Sequence, residues 1–204
     1  MPFLRLKQTG MRHSQVRPSV SLCALVILLA AGCVRVRAVG LDPADPFLAP
    51  YVVSPQGIVT EMLRLASVGS GDVVYDLGSG DGRIVIEAAR LGARGVGIEL
   101  DPALVQRARE NAVRAHVAHL VEFRVQDALT VDLTPATVVT VYLGRDANLK
   151  LRSRLREQLR PGARVVSYEF DMGDWSPSAV VRVWEESSGF HMLYLWRIGA
   201  RPGG

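Results

Sequence analysis

The sequence predicts an α/β fold on a mostly parallel sheet, and three observations carry that prediction. Short valine-rich runs alternate with helical patterns from about residue 54 onward. The first run turns through Gly78-Ser79-Gly80-Asp81-Gly82 directly into a helical stretch. The last two apolar runs are separated only by Glu186-Ser187-Ser188-Gly189, which reads as a hairpin. Strand–helix alternation at this spacing requires right-handed crossovers and helices on both faces of a parallel sheet, to which the hairpin adds an antiparallel end.

Taken in order, Ser54-Pro55 supplies an N-cap and a proline at the first helical position, opening a helix through Met62, Leu63 and Leu65. Residues 72–77 form a strand ending in the glycines, and 83–91 a helix. Residues 95–100 are the next strand, and Asp101-Pro102 caps a helix running to about Ala115. Strands at 121–125 and 137–143 follow, then a helix from about Ala147 to Leu159, stopped by Arg160-Pro161-Gly162. Strands at 163–170, 180–185 and 192–198 bring the sheet to seven. Neither an internal repeat nor a low-complexity tract interrupts the pattern.

At 204 residues, with 49% hydrophobic and 22% charged residues, the chain has room for one ordinary domain folded around a core. Its net charge of +4 is not a property of that domain. Arg5, Lys7, Arg12, Arg17, Arg35 and Arg37 fall in residues 1–40, which contain no acid. Of 24 basic residues 18 therefore remain in 41–204, against 20 acidic ones, a net of −2. A general polyanion-binding role loses its support, and no nucleic-acid partner is expected. Cys23 and Cys33 both precede the domain, which excludes a cysteine zinc site or an internal disulfide within it. The His116/His119 pair falls where a helix ends, and no metal is expected.

The organisation expected is a leader at 1–33, a linker at 34–46 and a domain at 47–204. A basic head, the apolar run at 20–31 and Gly32-Cys33 are the parts of an export signal, and the run is short for a spanning helix. Leu29-Ala30-Ala31-Gly32-Cys33 resembles a bacterial lipobox, with Ala30 where leucine is commonest. The alternatives are a retained anchor and a mis-called start. A lipidated or retained leader puts the protein at a membrane, on a side the sequence leaves open, and a cleaved one exports it.

The residues that carry chemistry sit at strand ends. In Asp76-Leu77-Gly78-Ser79-Gly80-Asp81-Gly82 a buried strand turns through alternate glycines into a helix, as a backbone must when a ligand approaches closely. A dinucleotide loop places its third glycine one residue later, against a pyrophosphate that Asp76 and Asp81 would repel. Two carboxylates favour an α-amino group or a sulfonium, so the loop suits S-adenosyl-L-methionine over NAD. Glu99, with Leu100 beside it, ends the second strand 21 residues after Gly78, placed to accept from both ribose hydroxyls. Asp127 follows the third strand, where it can accept from an adenine amino group while the Ala128 amide donates to the ring.

On these residues the chain resembles class I S-adenosylmethionine-dependent methyltransferases, whose Rossmann-like sheet has seven strands. It is most similar to the family of lysine methyltransferases acting on adenine nucleotide translocase and the c-ring protein of ATP synthase, with its bacterial relatives. The resemblance covers about residues 48–178. It rests on Pro50-Tyr51-Val52, the glycine loop continued through Arg83-Ile84, Gly97-Ile98-Glu99-Leu100 and the segment from Phe123 to Leu129. Gly162-Ala163-Arg164-Val165-Val166, Phe170 and Trp175-Ser176-Pro177 extend it. Asp171-Met172-Gly173-Asp174 departs from the more apolar segment of the eukaryotic members, and Tyr142-Leu143-Gly144-Arg145 matches only loosely. Both departures border the acceptor pocket.

The resemblance implies that Tyr51 and Val52 close over the methionine end of the cofactor, with Tyr142 between cofactor and acceptor. Tyr142, Tyr168, Asp171 and Trp175 are the candidates for the acceptor wall, where aromatic faces hold an ammonium and Asp171 adds charge. Plain packing is the alternative for Tyr168 and Trp175. A protein lysine is the expected methyl acceptor, no obligatory general base is expected, and the chain should be a monomer. The rival reading is an exported lipoprotein that uses the same fold as a non-catalytic nucleoside-binding module.

Overall fold

A computed structural model describes residues 51–199. The leader, the linker and the expected domain start at 47 lie outside the described residues.

The order of elements is α1 (Gln56–Leu65), β1 (Val73–Leu77), α2 (Arg83–Arg90), β2 (Arg94–Glu99), α3 (Pro102–Arg114) and β3 (Val121–Val125). β4 (Val138–Val141), α4 (Arg145–Gln158), β5 (Arg164–Tyr168), β6 (Ala179–Glu185) and β7 (Gly189–Arg197) complete it. All seven strands form one sheet in the order β3-β2-β1-β4-β5-β7-β6. The first five are parallel, and β7 runs antiparallel to both β5 and β6. Each expected strand and helix is present, with ends moved by a few residues.

Side chains alternate across the sheet, so adjacent residues enter different cores. Tyr75, Val139, Val165 and Trp196 pack on one face beneath Leu151, Leu155 and Leu159, the i,i+4 stripe of α4 and its end. Val74, Val138, Val166 and Leu193 pack on the other beneath Ile58, Met62 and Leu63 of α1. A third cluster joins Val85 and Ala89 of α2 to Val105, Ala108 and Phe123.

Helix starts differ in quality. Asp101 caps α3 as expected, its carboxylate accepting from the Ala103 amide at 2.8 Å. Ser54 does not cap α1: Pro55 holds the cap position without a side-chain bond, and the Ser54 carbonyl accepts from Arg83 Nη1 at 2.6 Å. The backbone there is committed to the loop after β1, which draws the cap away from its sequence position.

At the amino ends of the central strands, Asp72 gathers three elements. It accepts from Thr137 Oγ1 at 2.7 Å and the Gly69 amide at 3.0 Å, and pairs with Arg164. Burial alone would raise its carboxyl, but these donors hold it below the usual carboxylate range.

Candidate active site

At the opposite, carboxyl edge the strand order reverses between β1 and β4, which opens a crevice of the kind where α/β sheets take ligands. Gly78, Gly80 and Gly82 line it with φ of +81°, +51° and +81°. At Gly80 a Cβ would lie 2.5 Å from the Tyr51 ring, and at Gly82 one would lie 2.7 Å from Phe123. Only glycine lets the chain turn here with both rings in place. Leu143, just past β4, closes against Gly78 from the other side.

Glu99 is fixed at the mouth. One oxygen accepts from the Gly80 amide at 2.9 Å, and the other from Leu100 and Asp101 at 2.7 and 3.1 Å. Its neighbour strand end is tied in by the Gln126 amide, which donates to the Glu99 carbonyl at 3.0 Å. Asp127 spends one oxygen on the Leu129 amide at 2.8 Å, and Ala128 beside it is buried. Ser79 Oγ is buried in the loop with no hydrogen-bond partner among the described residues. A buried hydroxyl without a partner costs free energy that a ligand would recover.

Asp76 lies beneath the loop, 2% exposed, and accepts from Thr140 Oγ1 at 2.7 Å. Burial pushes its carboxyl up to about 7, the Thr140 bond opposes this, and the charges of Glu99 and Asp81 add to it. Such a carboxylate lacks a cation, as a site for an α-ammonium or sulfonium group requires. Asp81 is differently placed. Arg83 grips it with Nε at 2.9 Å from Oδ1 and Nη2 at 2.6 Å from Oδ2. Burial would raise the Asp81 carboxyl, but this guanidinium outweighs it and holds the group low. Asp81 therefore anchors the loop to Arg83, and through Arg83 to Ser54, while Asp76 keeps the unbalanced charge. The orphan hydroxyl, the glycine cradle and the carboxylates of Asp76, Glu99 and Asp127 fit S-adenosyl-L-methionine.

The candidate acceptor residues separate into two groups. Tyr142 and Tyr168 meet with ring centroids 4.2 Å apart, and Phe170 stacks on Tyr142 at 6.3 Å. Burial raises both phenols, and the Glu169 charge raises them further. Trp175 does not join them: it packs on the α4 face, 5.5 Å from Trp196, whose Nε1 donates to the Trp175 carbonyl at 2.7 Å. Asp171 is turned into its own loop, accepting from the Gly173 amide at 2.9 Å, with Arg145 3.8 Å from its second oxygen. Tyr51 and Val52 are exposed at the lip of the glycine loop.

Three residues of this edge escape a reading by motif, and the pairing role of Arg83 inside its motif escapes it too. Thr140 had a faint signal, one hydroxyl in an otherwise valine strand. Glu169 and His191 had none, because their meeting depends on β7 returning beside β5. Among the described residues no group of three or more His, Cys, Asp or Glu side chains could hold a metal ion.

Comparison with known proteins agrees with this geometry. The family model for the ANTKMT methyltransferase domain matches residues 76–179. A protein-lysine N-methyltransferase of Saccharolobus islandicus is 39% identical over 152 residues, 74% of this chain and 94% of that protein. The Xenopus laevis lysine N-methyltransferase named for the ATP synthase c-ring protein is 34% identical, covering 85% of this chain and 78% of its own length. Among solved structures, an RNA methyltransferase from Salinibacter ruber in complex with S-adenosyl-L-homocysteine superposes with a TM-score of 0.70. It is 54% identical, over 74% of this chain and 97% of that one.

Proposed function

Because this chain belongs to the ANTKMT methyltransferase domain family and so is an S-adenosyl-L-methionine-dependent methyltransferase, we propose that its acceptor is the ε-amino group of a protein lysine. The observation that carries this reading is the half-buried Tyr142 ring at the carboxyl end of β4, backed by Tyr168 and near the Glu169 carboxylate. Membership in an enzyme family sets aside the non-catalytic binding module. The name of the Salinibacter ruber protein raises RNA as a second acceptor class. Against it stand the net charge of −2 in residues 41–204 and an acceptor edge that carries Glu169.

The bound cofactor supplies a methyl group already activated by a sulfonium. What the chain adds is placement, worth up to roughly 7–11 kcal/mol for ideal alignment. Asp76 holds the cationic methionine end, Glu99 the ribose, and Asp127 with the Ala128 amide the adenine. Tyr51 and Val52 cover the methionine end and exclude water. Tyr142 stands on the first residue past β4 and Tyr168 at the end of β5, so the acceptor nitrogen enters from the β5 side. A lysine reaches the edge of the site as an ammonium and gives up its proton to solvent before its neutral nitrogen meets the methyl group.

The experiment is to incubate membranes and cytosol of a deletion strain with full-length protein and methyl-labelled cofactor, then separate protein from RNA. Label recovered as ε-N-methyl-lysine after acid hydrolysis supports the proposal. Label confined to RNA, or to a non-lysine residue, refutes it.

We also propose that residues 1–33 attach the domain to a membrane, on the strength of the apolar run at 20–31 alone. Among the described residues no helix is long and apolar enough to cross one. Recovery of the full chain in the soluble fraction of lysed cells would overturn this.

A further inference from the structure

Beyond Tyr142 and Tyr168, the acceptor edge holds a cluster that no sequence motif marks. β5 ends in a three-residue turn, closed by the Phe170 amide donating to the Tyr168 carbonyl at 2.9 Å, with Glu169 at its centre at φ +64°. A non-glycine residue in this conformation costs on the order of 1–3 kcal/mol and persists only where its surroundings over-determine it. They do so here. Asn148 Nδ2 donates to the Phe170 carbonyl at 2.9 Å, Ser167 Oγ to the same carbonyl at 2.6 Å, and the Glu169 amide to the Met192 carbonyl at 2.8 Å. Glycine would fit this turn without strain, yet glutamate occupies it.

The turn puts Phe170 on Tyr142 and swings Glu169 to β7. There His191 Nδ1 lies 2.6 Å from Glu169 Oε1 and 3.0 Å from the Tyr168 hydroxyl, and His191 Nε2 lies 2.7 Å from Ser188 Oγ. Nδ1 has one hydrogen, which goes to the carboxylate. The other carboxylate oxygen, Oε2, has no hydrogen-bond partner among the described residues, and the Glu169 side chain is 30% exposed. Asp171, by contrast, is occupied by the Gly173 amide and opposed by Arg145. Resting on the lysine reading above, we propose that Glu169 is the residue that receives the ammonium of the incoming acceptor, against the half-buried Tyr142 ring that the buried Tyr168 backs, and that His191 is the positioning residue that aims it. Asp171 has no part in this site. A carboxylate beside an aromatic face selects a primary ammonium on a flexible alkyl stem over a neutral or anionic group.

The test separates the ammonium site from the lysine reading by using n-butylammonium chloride, with n-butanol as the neutral isostere and sodium chloride matching ionic strength. The full chain, saturated with S-adenosyl-L-homocysteine and carrying ring-labelled tyrosine, is titrated and the Tyr142 and Tyr168 resonances followed. n-Butylammonium should shift both saturably, and butanol neither. Glu169→Gln should weaken that binding by about tenfold or more, with S-adenosyl-L-homocysteine affinity unchanged within about twofold and Asp171→Asn binding as the parent does. Glu169→Asn, whose side chain tolerates positive φ, serves as a second variant if Glu169→Gln unfolds early. His191→Leu should weaken binding, and His191→Asn, which restores an N–H near the Nδ1 position, should recover it. No saturable shift in the parent, equal binding by both Glu169 variants, or an equal loss in Asp171→Asn overturns the assignment. A parent that binds n-butylammonium but labels no protein lysine defeats the lysine reading and leaves the ammonium site standing.

Discussion

Asp76→Asn should make the cofactor-free protein more stable and useless as an enzyme. The carboxyl is fully buried and has its pKa pushed to about 7 from an ordinary 3.8, with burial the largest cause. A raised pKa means the folded state binds the proton more tightly than the unfolded one. Asp76 therefore stabilises the fold fully below about pH 4 and loses that contribution as pH rises through about 7. The gap between 3.8 and about 7 corresponds to about 4 kcal/mol, at about 1.36 kcal/mol per pH unit. Asparagine keeps an oxygen to accept the Thr140 hydroxyl and cannot ionise, so it escapes the loss. Urea unfolding near pH 8 should show the variant ahead by about 4 kcal/mol, and near pH 5.5 by about 2 kcal/mol. Saturating S-adenosyl-L-homocysteine should stabilise the parent by a few kcal/mol and the variant by almost nothing. Equal or lower stability of Asp76→Asn near pH 8, or a difference that fails to shrink near pH 5.5, would refute the claim that Asp76 is a buried charge awaiting a cation.

Three other predictions rest on the same geometry. Cofactor affinity, measured by calorimetry, should fall below about pH 7 by up to about tenfold per pH unit, because a cation must displace the Asp76 proton; a flat profile from pH 5.5 to 8 would count against it. Arg83→Met strands the Asp81 carboxylate and frees the Ser54 carbonyl, so stability should drop by about 1–3 kcal/mol, with the loss full above the usual carboxylate value of 3.8 and fading only as pH falls below it, through the lowered Asp81 pKa. Leu151→Ala, at a fully buried position under the sheet, should cost about 2–5 kcal/mol in urea unfolding while leaving cofactor affinity unchanged within about twofold.

Much of this was legible in the sequence, for definable reasons. Strand ends are marked by the change from valine runs to glycine or acid, so Gly78, Gly80, Gly82, Glu99 and Asp127 could be placed on one edge before any fold was known. Residues whose role depends on facing could not. Tyr168 and Trp175 are seven apart across an irregular segment, so the alternation that assigns faces within a strand stops counting at Tyr168. The structure puts them on opposite faces of the sheet. Asp76 and Asp81 looked alike as two loop acids. Only the folded loop shows that one is paired by Arg83 and the other is not. The positive φ of Glu169 leaves no trace in composition, because glutamate is not a residue that turns favour.

The two edges of the sheet treat their buried carboxylates differently, and the contrast argues for where function lies. At the amino edge Asp72 has Thr137, Gly69 and Arg164 as partners, and its charge is fully answered. At the carboxyl edge sit a buried acid without a cation, a buried hydroxyl without a partner and a glutamate in left-handed backbone. Each of these costs stability in the free protein, and together they cost several kcal/mol of it. A fold that can satisfy a charge so completely at one end is not short of means to do so at the other. The unmet groups at the carboxyl edge lie along the line from the adenine side, through Glu99 and Asp76, to Tyr142, Tyr168 and Glu169. That line runs from β3 to β5 in the order in which a nucleoside, a sulfonium and an approaching amine would have to be laid.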